Sequence, residues 1–414
     1  MKIRSITYFC HPRFPLDQAV LGRAGAFLRS ARAAFEAAGY EVQTTRLATI
    51  PFPRLLGERH LHSLPALARE LDLLIKQIEV GYVCLGPALP SMPSSYEVIP
   101  EAIAATQNVF FGGIMADKRR GVDPQALHAC AQIIVKCAPI DPHGFANLRF
   151  AALANVPADS AFFPAAYHLG PAPAFALATE AADLAVDAFA AAGTVDRGRA
   201  LLVNSIEAHG RELARVARSL VARAAAKPRG SGLRGPSFLG IDFSLAPFPA
   251  EAISLGTAFE RLGVPRAGLH GSVAAAAILT EAIDRARFPR AGFSGLLLPV
   301  LEDATLARRA AEGTLTIKDL LLYSAVCGTG LDTIPLPGDT TPAQLAALLL
   351  DLSALALRLD KPLTARLMPI PNKRAGDATG FDFAFFANSK VMALDSEGLR
   401  GPLDGSDSFS LRCR

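Results

Sequence analysis

Tryptophan is absent from this chain, its cysteines occur only singly, and no long block of like charge interrupts it. The missing tryptophan, like the arginine-heavy cation set, reads as compositional bias and carries no functional signal. The six cysteines, at 10, 84, 130, 137, 327 and 413, form no Cys-x-x-Cys pair and no Cys/His spacing of a zinc site. That argues against a disulfide scaffold and leaves free thiols in a reducing cytoplasm as the expectation. A net charge of +4 on 43.6 kDa is mild, and basic residues are scattered through helical stretches such as Arg211 to Arg223. Nucleic acid is therefore not an expected partner.

Membrane and export signals are also lacking. Met1 to His11 has no long apolar region before a cleavage site and reads as a first strand rather than a signal peptide. Ala161 to Thr179 carries no Asp, Glu, Lys or Arg, but Pro164, Gly170, Pro171 and Pro173 interrupt it around Tyr167-His168. The expectation is a buried strand followed by an ordered loop, with no membrane partner.

What is present is apolar mass. The 414 residues are 51% hydrophobic and 19% charged, with a mean hydropathy of +0.28, enough for one very large core or two ordinary ones. Strand and helix patterns alternate throughout, which favours α/β architecture. Strands are expected at Ile3 to Phe9, Val42 to Arg46, Tyr82 to Leu85, Val109 to Met115, Ser160 to Tyr167, Phe238 to Leu245, Ala267 to Leu269, Gly295 to Leu301, Thr333 to Leu336 and Leu363 to Pro369. A Gly/Pro stretch at 227–236 reads as a solvated linker between pseudo-halves 1–226 and 237–414. Two half-barrels around one core would satisfy that division, as would two separate domains.

Polar residues gather at abrupt turns between apolar segments from Leu320 to Phe383. Thr341, Pro342 and Gln344 form a capping box that starts a helix running to Leu359, so Gly338-Asp339 lies at a strand-to-helix turn, the edge where α/β folds bind ligands. Asp339 could equally serve the cap. Arg366 sits inside an apolar strand, where a guanidinium needs a carboxylate or an anionic ligand. Asp242 and Ser244 share the polar face of Phe238 to Leu245, which makes Asp242 a candidate partner for Arg366. Glu302, Asp303 and Asp332 are hard oxygen donors suited to a divalent cation, the one cofactor the pattern invites; Asp303 could instead cap the next helix. Ser272 reads as an N-cap, and the free amides there, with His270 beside them, could receive an anion. His168 is a candidate acid or base, and Cys327 either a nucleophile or a buried apolar side chain.

At these residues the chain resembles a bacterial and archaeal family, domain-of-unknown-function family seven hundred and eleven. The resemblance rests on Gly240-Ile-Asp242-Phe-Ser244-Leu-Ala-Pro247, on Ser294 to Asp303, on Cys327-Gly-Thr-Gly-Leu-Asp332, on Leu336-Pro-Gly338-Asp339, on Ala365-Arg366-Leu-Met-Pro369 through Gly376-Asp377, and on Phe162 to His168. It implies a ten-stranded α/β barrel of two five-stranded halves, similar to pyruvate formate-lyase and ribonucleotide reductase. It brings no reaction. Where Pro-x-Pro-Gly-Lys is expected the chain has Pro369-Ile-Pro371-Asn372-Lys373, and Asn tolerates the left-handed conformation next best to Gly. The C-terminal Arg-Val-x-Gly-Tyr loop of glycyl-radical enzymes is missing, which argues against radical chemistry.

The resulting expectation is an enzyme, or alternatively a metabolite-binding regulator, acting on a small anionic metabolite as a symmetric homodimer. Arg366, Lys373, Ser244 and His270 would bind the anion. Asp242, Asp339, Asp377, His168 and Cys327 would supply the chemistry.

Overall fold

Apolar residues at alternating positions build the strands, and the sheet they form is covered by helices on one face. In the computed structural model residues 1–225 and 235–414 are described; most of the linker expected at 227–236 lies outside them. The strands are β1 (Lys2–Cys10), β2 (Val42–Thr49), β3 (Tyr82–Ala88), β4 (Val109–Asp117), β5 (Gly121–Val122), β6 (Phe150–Ala154), β7 (Ala174–Glu180), β8 (Ser237–Asp242), β9 (Gly330–Pro337) and β10 (Leu363–Ile370). They make one ten-stranded sheet in the order β8-β7-β1-β2-β3-β4-β6-β10-β9, with β5 on β4. The helix from Pro342 to Arg358 begins with the expected Thr341/Gln344 capping box.

Strand directions divide the sheet. β1, β2, β3, β4 and β6 run parallel, β7 is antiparallel to β1, and β10 is antiparallel to β6. β8 follows β7, and β9 follows β10. The carboxyl ends of β7, β8, β9 and β10 therefore lie on the same side as the amino ends of the other long strands.

Segment 289–301 visits both outer strands of this order. It meets β8 and the residues after it through Ala291 N–H to Ile241 O (3.0 Å) and Leu245 N–H to Gly295 O (3.0 Å), and β9 through Val300 N–H to Asp332 O (3.1 Å). The strand expected from Gly295 to Leu301 makes only isolated bridges, in part because Pro299 has no N–H to donate. The sheet is thus not closed by regular ladders.

Two further expected strands do not form. Ser160 to Tyr167 is buried but irregular, and the regular strand comes after it, as β7. Strands β6 (Phe-Ala-Ala-Leu-Ala) and β7 (Ala-Phe-Ala-Leu-Ala-Thr-Glu) are alanine-rich, and alanine is a poor strand signal. Its small size has a use here. Ala174, Ala176 and Ala178 face the segment Ala161 to Ala166, together with Phe9, Ala48 and Cys84, while Phe175 and Leu177 join the helix-side core. Phe162 packs the other way, against Ala151, Leu153, Phe293 and Leu297. Ala267 to Leu269 forms a turn, not a strand.

Candidate functional site

Charged side chains that sit within strands cannot reach water by moving a loop, so each must find partners in the protein. Arg366 on β10 does so twice. It is 8% exposed, donates from Nε to Asp332 Oδ1 on β9 and from Nη2 to Glu302 Oε1 at 2.8 Å. Glu302 uses its other oxygen to accept from Arg4 of β1, and Arg4 also reaches Pro247 O at 3.4 Å. A single carboxylate therefore links β1, near one side of the strand order, to β10, near the other.

The network continues along the first strands. Thr44 Oγ1 donates to Arg4 O (2.8 Å) and accepts from Arg46 Nε (2.9 Å) on β2, and Gln43 donates to Glu180 at the end of β7 (2.5 Å). The Arg46 guanidinium lies over the rings of Phe163 (5.1 Å) and Tyr82 (5.9 Å). Among the described residues it has no carboxylate partner, and both terminal nitrogens lack a hydrogen bond. A surface cleft of about 430 Å³ at the amino ends of β2 and β3 shares Gln43, Thr44 and Tyr82 with this cluster.

Backbone irregularities coincide with these charges. Ile3 stands opposite Thr179 and Ser5 opposite Ala178, so Arg4 occupies a slip in the β1/β7 register. Ala365 faces Leu331 and Leu367 faces Ile334, so Asp332 and Thr333 together oppose Arg366. Such bulges re-aim side chains, often next to functional sites. Thr333 has φ +44°, an unfavourable conformation for a β-branched residue. Three buried atoms in this region lack a hydrogen-bond partner among the described residues: Asp332 Oδ2, Thr333 Oγ1 and Glu180 Oε1.

The electrostatics follow the contacts. Burial pushes the Asp332 carboxyl above the usual carboxylate range despite the pull of Arg366. Burial likewise raises Glu180, against Arg4 and Gln43. Burial opposes ionisation of Glu302 as well, but two guanidiniums, Arg4 and Arg366, hold it below its ordinary value. Arg46 is pulled down to about 9 by burial and by the nearby Arg4. Because a guanidinium stays protonated in proteins, that shift describes a cation short of negative charge rather than a neutral base.

Other expected site residues take different places. Asp242 is not the partner of Arg366. Its carboxylate accepts from Ser244 Oγ (2.5 Å) and from the amides of Phe293 (3.0 Å) and Ser294 (2.8 Å), and Ser244 Oγ also accepts from Gly295 N–H (3.4 Å). The pair thereby pins segment 289–301 to β8. Gly292 (φ +60°) is required there, since a Cβ would come within 2.2 Å of Asp242 Oδ2.

Asp303 does not join Glu302 and Asp332 as a cation ligand. It caps the helix Ala304–Glu312 through Thr305 and Leu306 and also binds Ser254 Oγ and the amides of Leu255 and Gly256. Glu302 and Asp332 are already held by Arg366, and no group of three potential His, Cys, Asp or Glu ligands occurs among the described residues. The donor set present does not fit a divalent cation.

Asp339 and Asp377 lie exposed in loops after β9 and β10, and the Asp377 carboxylate accepts from Arg374 N–H (2.7 Å). Lys373 donates to Ala378 O (2.9 Å), while its carbonyl accepts from Gly338 N–H (2.9 Å), so the two loops touch. Asn372 has φ +61°, the left-handed conformation expected where the family pattern has glycine. His270 is exposed. Gly271, not Ser272, occupies the N-cap, and Ser272 turns back to Leu269 O (2.8 Å). His168 is buried between Asp159 Oδ1 (2.7 Å) and Ala172 O (3.1 Å). Cys327 is fully buried in the apolar core. Arg4, Arg46 and Glu180 were not singled out from the sequence, although charge within an apolar strand marks Arg4 and Arg46 as it marks Arg366.

The same residues that hold segment 289–301 against β8 and β9 belong to the motifs carrying the family resemblance. The family model described as Uncharacterised ACR (DUF711) matches residues 1–388. The chain belongs to DUF711. Its relatives include a UPF0210 protein of Pyrobaculum arsenaticum, 35% identical over 68% of this chain and 61% of that protein. A UPF0210 protein of Pyrobaculum islandicum is 32% identical over 82% of this chain and 76% of its own length. One of Desulforudis audaxviator is 30% identical over 87% and 81%. The match to this DUF711 chain thus spans less than two thirds of the first relative. No helix among the described residues is long and apolar enough to cross a membrane.

Proposed function

We propose that the strand-borne charge cluster binds a small anionic metabolite and performs acid/base chemistry on it, with Arg46 receiving the anion and Asp332 exchanging the proton. The observation that carries this reading is Arg46. Its guanidinium lies against two aromatic rings, while the edge that pairs bidentately with a carboxylate or phosphate is left free. Arg366, by contrast, is paired with two carboxylates, Asp332 and Glu302, and serves to orient them. Burial of Asp332 favours its protonated form, and its Oδ2 is free to give or take a proton.

In this reading segment 289–301 closes the sheet into a barrel, supported by its bridges to both outer strands and by the link from Arg4 through Glu302 to Arg366. The two halves would then divide where strand direction reverses, between β6 and β7, rather than at the linker 227–236. The segment Ala161 to Ala166 would fill the interior beside Arg46. Pyruvate formate-lyase-like topology stays within the same proposal and brings no reaction with it.

The test is incubation of the purified protein with a metabolite pool, read by mass spectrometry for retained and converted compounds. The expected result is an anionic compound that is converted by the wild type, still bound but not converted by Asp332→Asn, and lost by Arg46→Met. Selective retention of compounds without a carboxylate or phosphate group, or conversion unaffected by Arg46→Met, would defeat the reading. A compound bound without turnover would favour a regulatory binding protein instead.

A further inference from the structure

Arg46 and the unpartnered carboxylate oxygens make opposite demands on one ligand. Arg46 offers a free donor edge and needs acceptors. Asp332 Oδ2 and Glu180 Oε1, on residues 0% and 2% exposed, are acceptors that need donors. One hydrogen-bonded network connects them: Arg46 through Thr44 to the Arg4 carbonyl, the Arg4 side chain through Glu302 to Arg366 and Asp332, and Gln43, beside Thr44, to Glu180. A plain carboxylate or phosphate would satisfy Arg46 but leave both oxygens without a donor and bring further negative charge towards them. An unpaired buried carboxylate oxygen carries a substantial desolvation cost, so a ligand that relieves it gains affinity as well as orientation.

Resting on the anion-binding reading of this cluster, we infer that the ligand is an amino acid or a similar zwitterion, its carboxylate on Arg46 and its ammonium directed to the free oxygens of Glu180 and Asp332. An ammonium supplies three donors and a positive charge, which suits two carboxylate oxygens that lack a donor. A zwitterion also enters without changing the net charge of the cluster, whether Asp332 is protonated or ionised. Gln43, which donates to the other oxygen of Glu180, holds that carboxylate in place from the cleft side.

Matched series test this directly. Binding by calorimetry would be compared within sets that share a carbon skeleton and differ only at the α-substituent: alanine, lactate and propionate; phenylalanine, phenyllactate and phenylpropionate; aspartate, malate and succinate. The expected result is that in at least one set the amino acid binds about tenfold or more tighter than both counterparts, a difference of about 1.4 kcal/mol. Glu180→Gln should shrink that preference to about twofold or less while leaving the affinity for the plain carboxylate nearly unchanged, and Arg46→Met should weaken every member. The inference is overturned if hydroxy acids or plain carboxylates bind as well as their amino counterparts in every set, or if Glu180→Gln leaves the preference intact. If that happens while Arg46→Met still abolishes carboxylate binding, only the zwitterion assignment falls. If no member binds, or Arg46→Met binds them all normally, the anion-binding reading falls with it.

Discussion

The strand-borne charges and the loop-borne charges of this protein look alike in sequence and behave differently in the fold. Arg4, Arg366 and Asp332, from opposite parts of the sheet order, are tied together through Glu302 at the end of segment 289–301, and Glu180 is held on one side by Gln43. Asp339, Lys373 and Asp377 lie in touching loops, where exposure or a nearby backbone group explains each of them. Charge at a loop costs little and therefore says little. Charge inside a strand is costly, and the chain keeps it only with partners or with a ligand to hold.

Breaking the strand-borne set should produce the largest effects. Arg366→Met leaves Asp332 and Glu302 buried with reduced compensation and should cost about 3–5 kcal/mol of stability, measured by urea unfolding. Arg46→Met, at a cation without a carboxylate partner, should cost far less and would sharpen the difference between a structural and a ligand-directed arginine. Next comes Asp242→Ala, which removes the acceptor for two backbone amides and the Ser244 hydroxyl and should cost about 2–4 kcal/mol in the same assay.

Smaller effects should follow pH. The folded-state pKa of Glu180 is raised, so the stability it contributes is full below its ordinary value of 4.5 and is lost as pH rises through the raised value. Glu302 is lowered, so its contribution is full above 4.5 and is lost as pH falls through the depressed value. Acidifying from about pH 7 to about pH 5 should therefore stabilise the wild type relative to Glu180→Gln. A stability difference that is flat across that range, or runs the other way, would contradict the assigned burial of Glu180. Smallest of all, Asp339→Asn and Asp377→Ala should each change stability by no more than about 0.5 kcal/mol, as for exposed positions without a special role.

Much of this contrast was legible in the residues, and the misses have physical causes. Arg366 in an apolar strand correctly demanded partners, but alternation along one strand cannot tell which carboxylate crosses to it. Asp242 has the right periodicity, yet its bonds go to a turn some fifty positions later in the chain. Arg46 closes the expected strand Val42 to Arg46 and so looked like a strand end, whereas β2 continues to Thr49. Glu180 was hidden because the alanines that make room for segment Ala161 to Ala166 also mask β7. The loops at Gly338-Asp339 and Lys373 to Asp377 drew notice because turn and capping signals are local, which is also why their charges have local explanations.

The most direct measurement is the equilibrium dissociation constant of the best-binding small carboxylate for the wild type, Arg46→Met and Lys373→Ala, taken under identical salt. If the strand-borne cluster is the anion site, Arg46→Met weakens binding about 100-fold and Lys373→Ala changes it by less than about twofold. The reverse pattern, with Lys373→Ala abolishing binding and Arg46→Met leaving it intact, would move the site to the exposed loops and contradict the account.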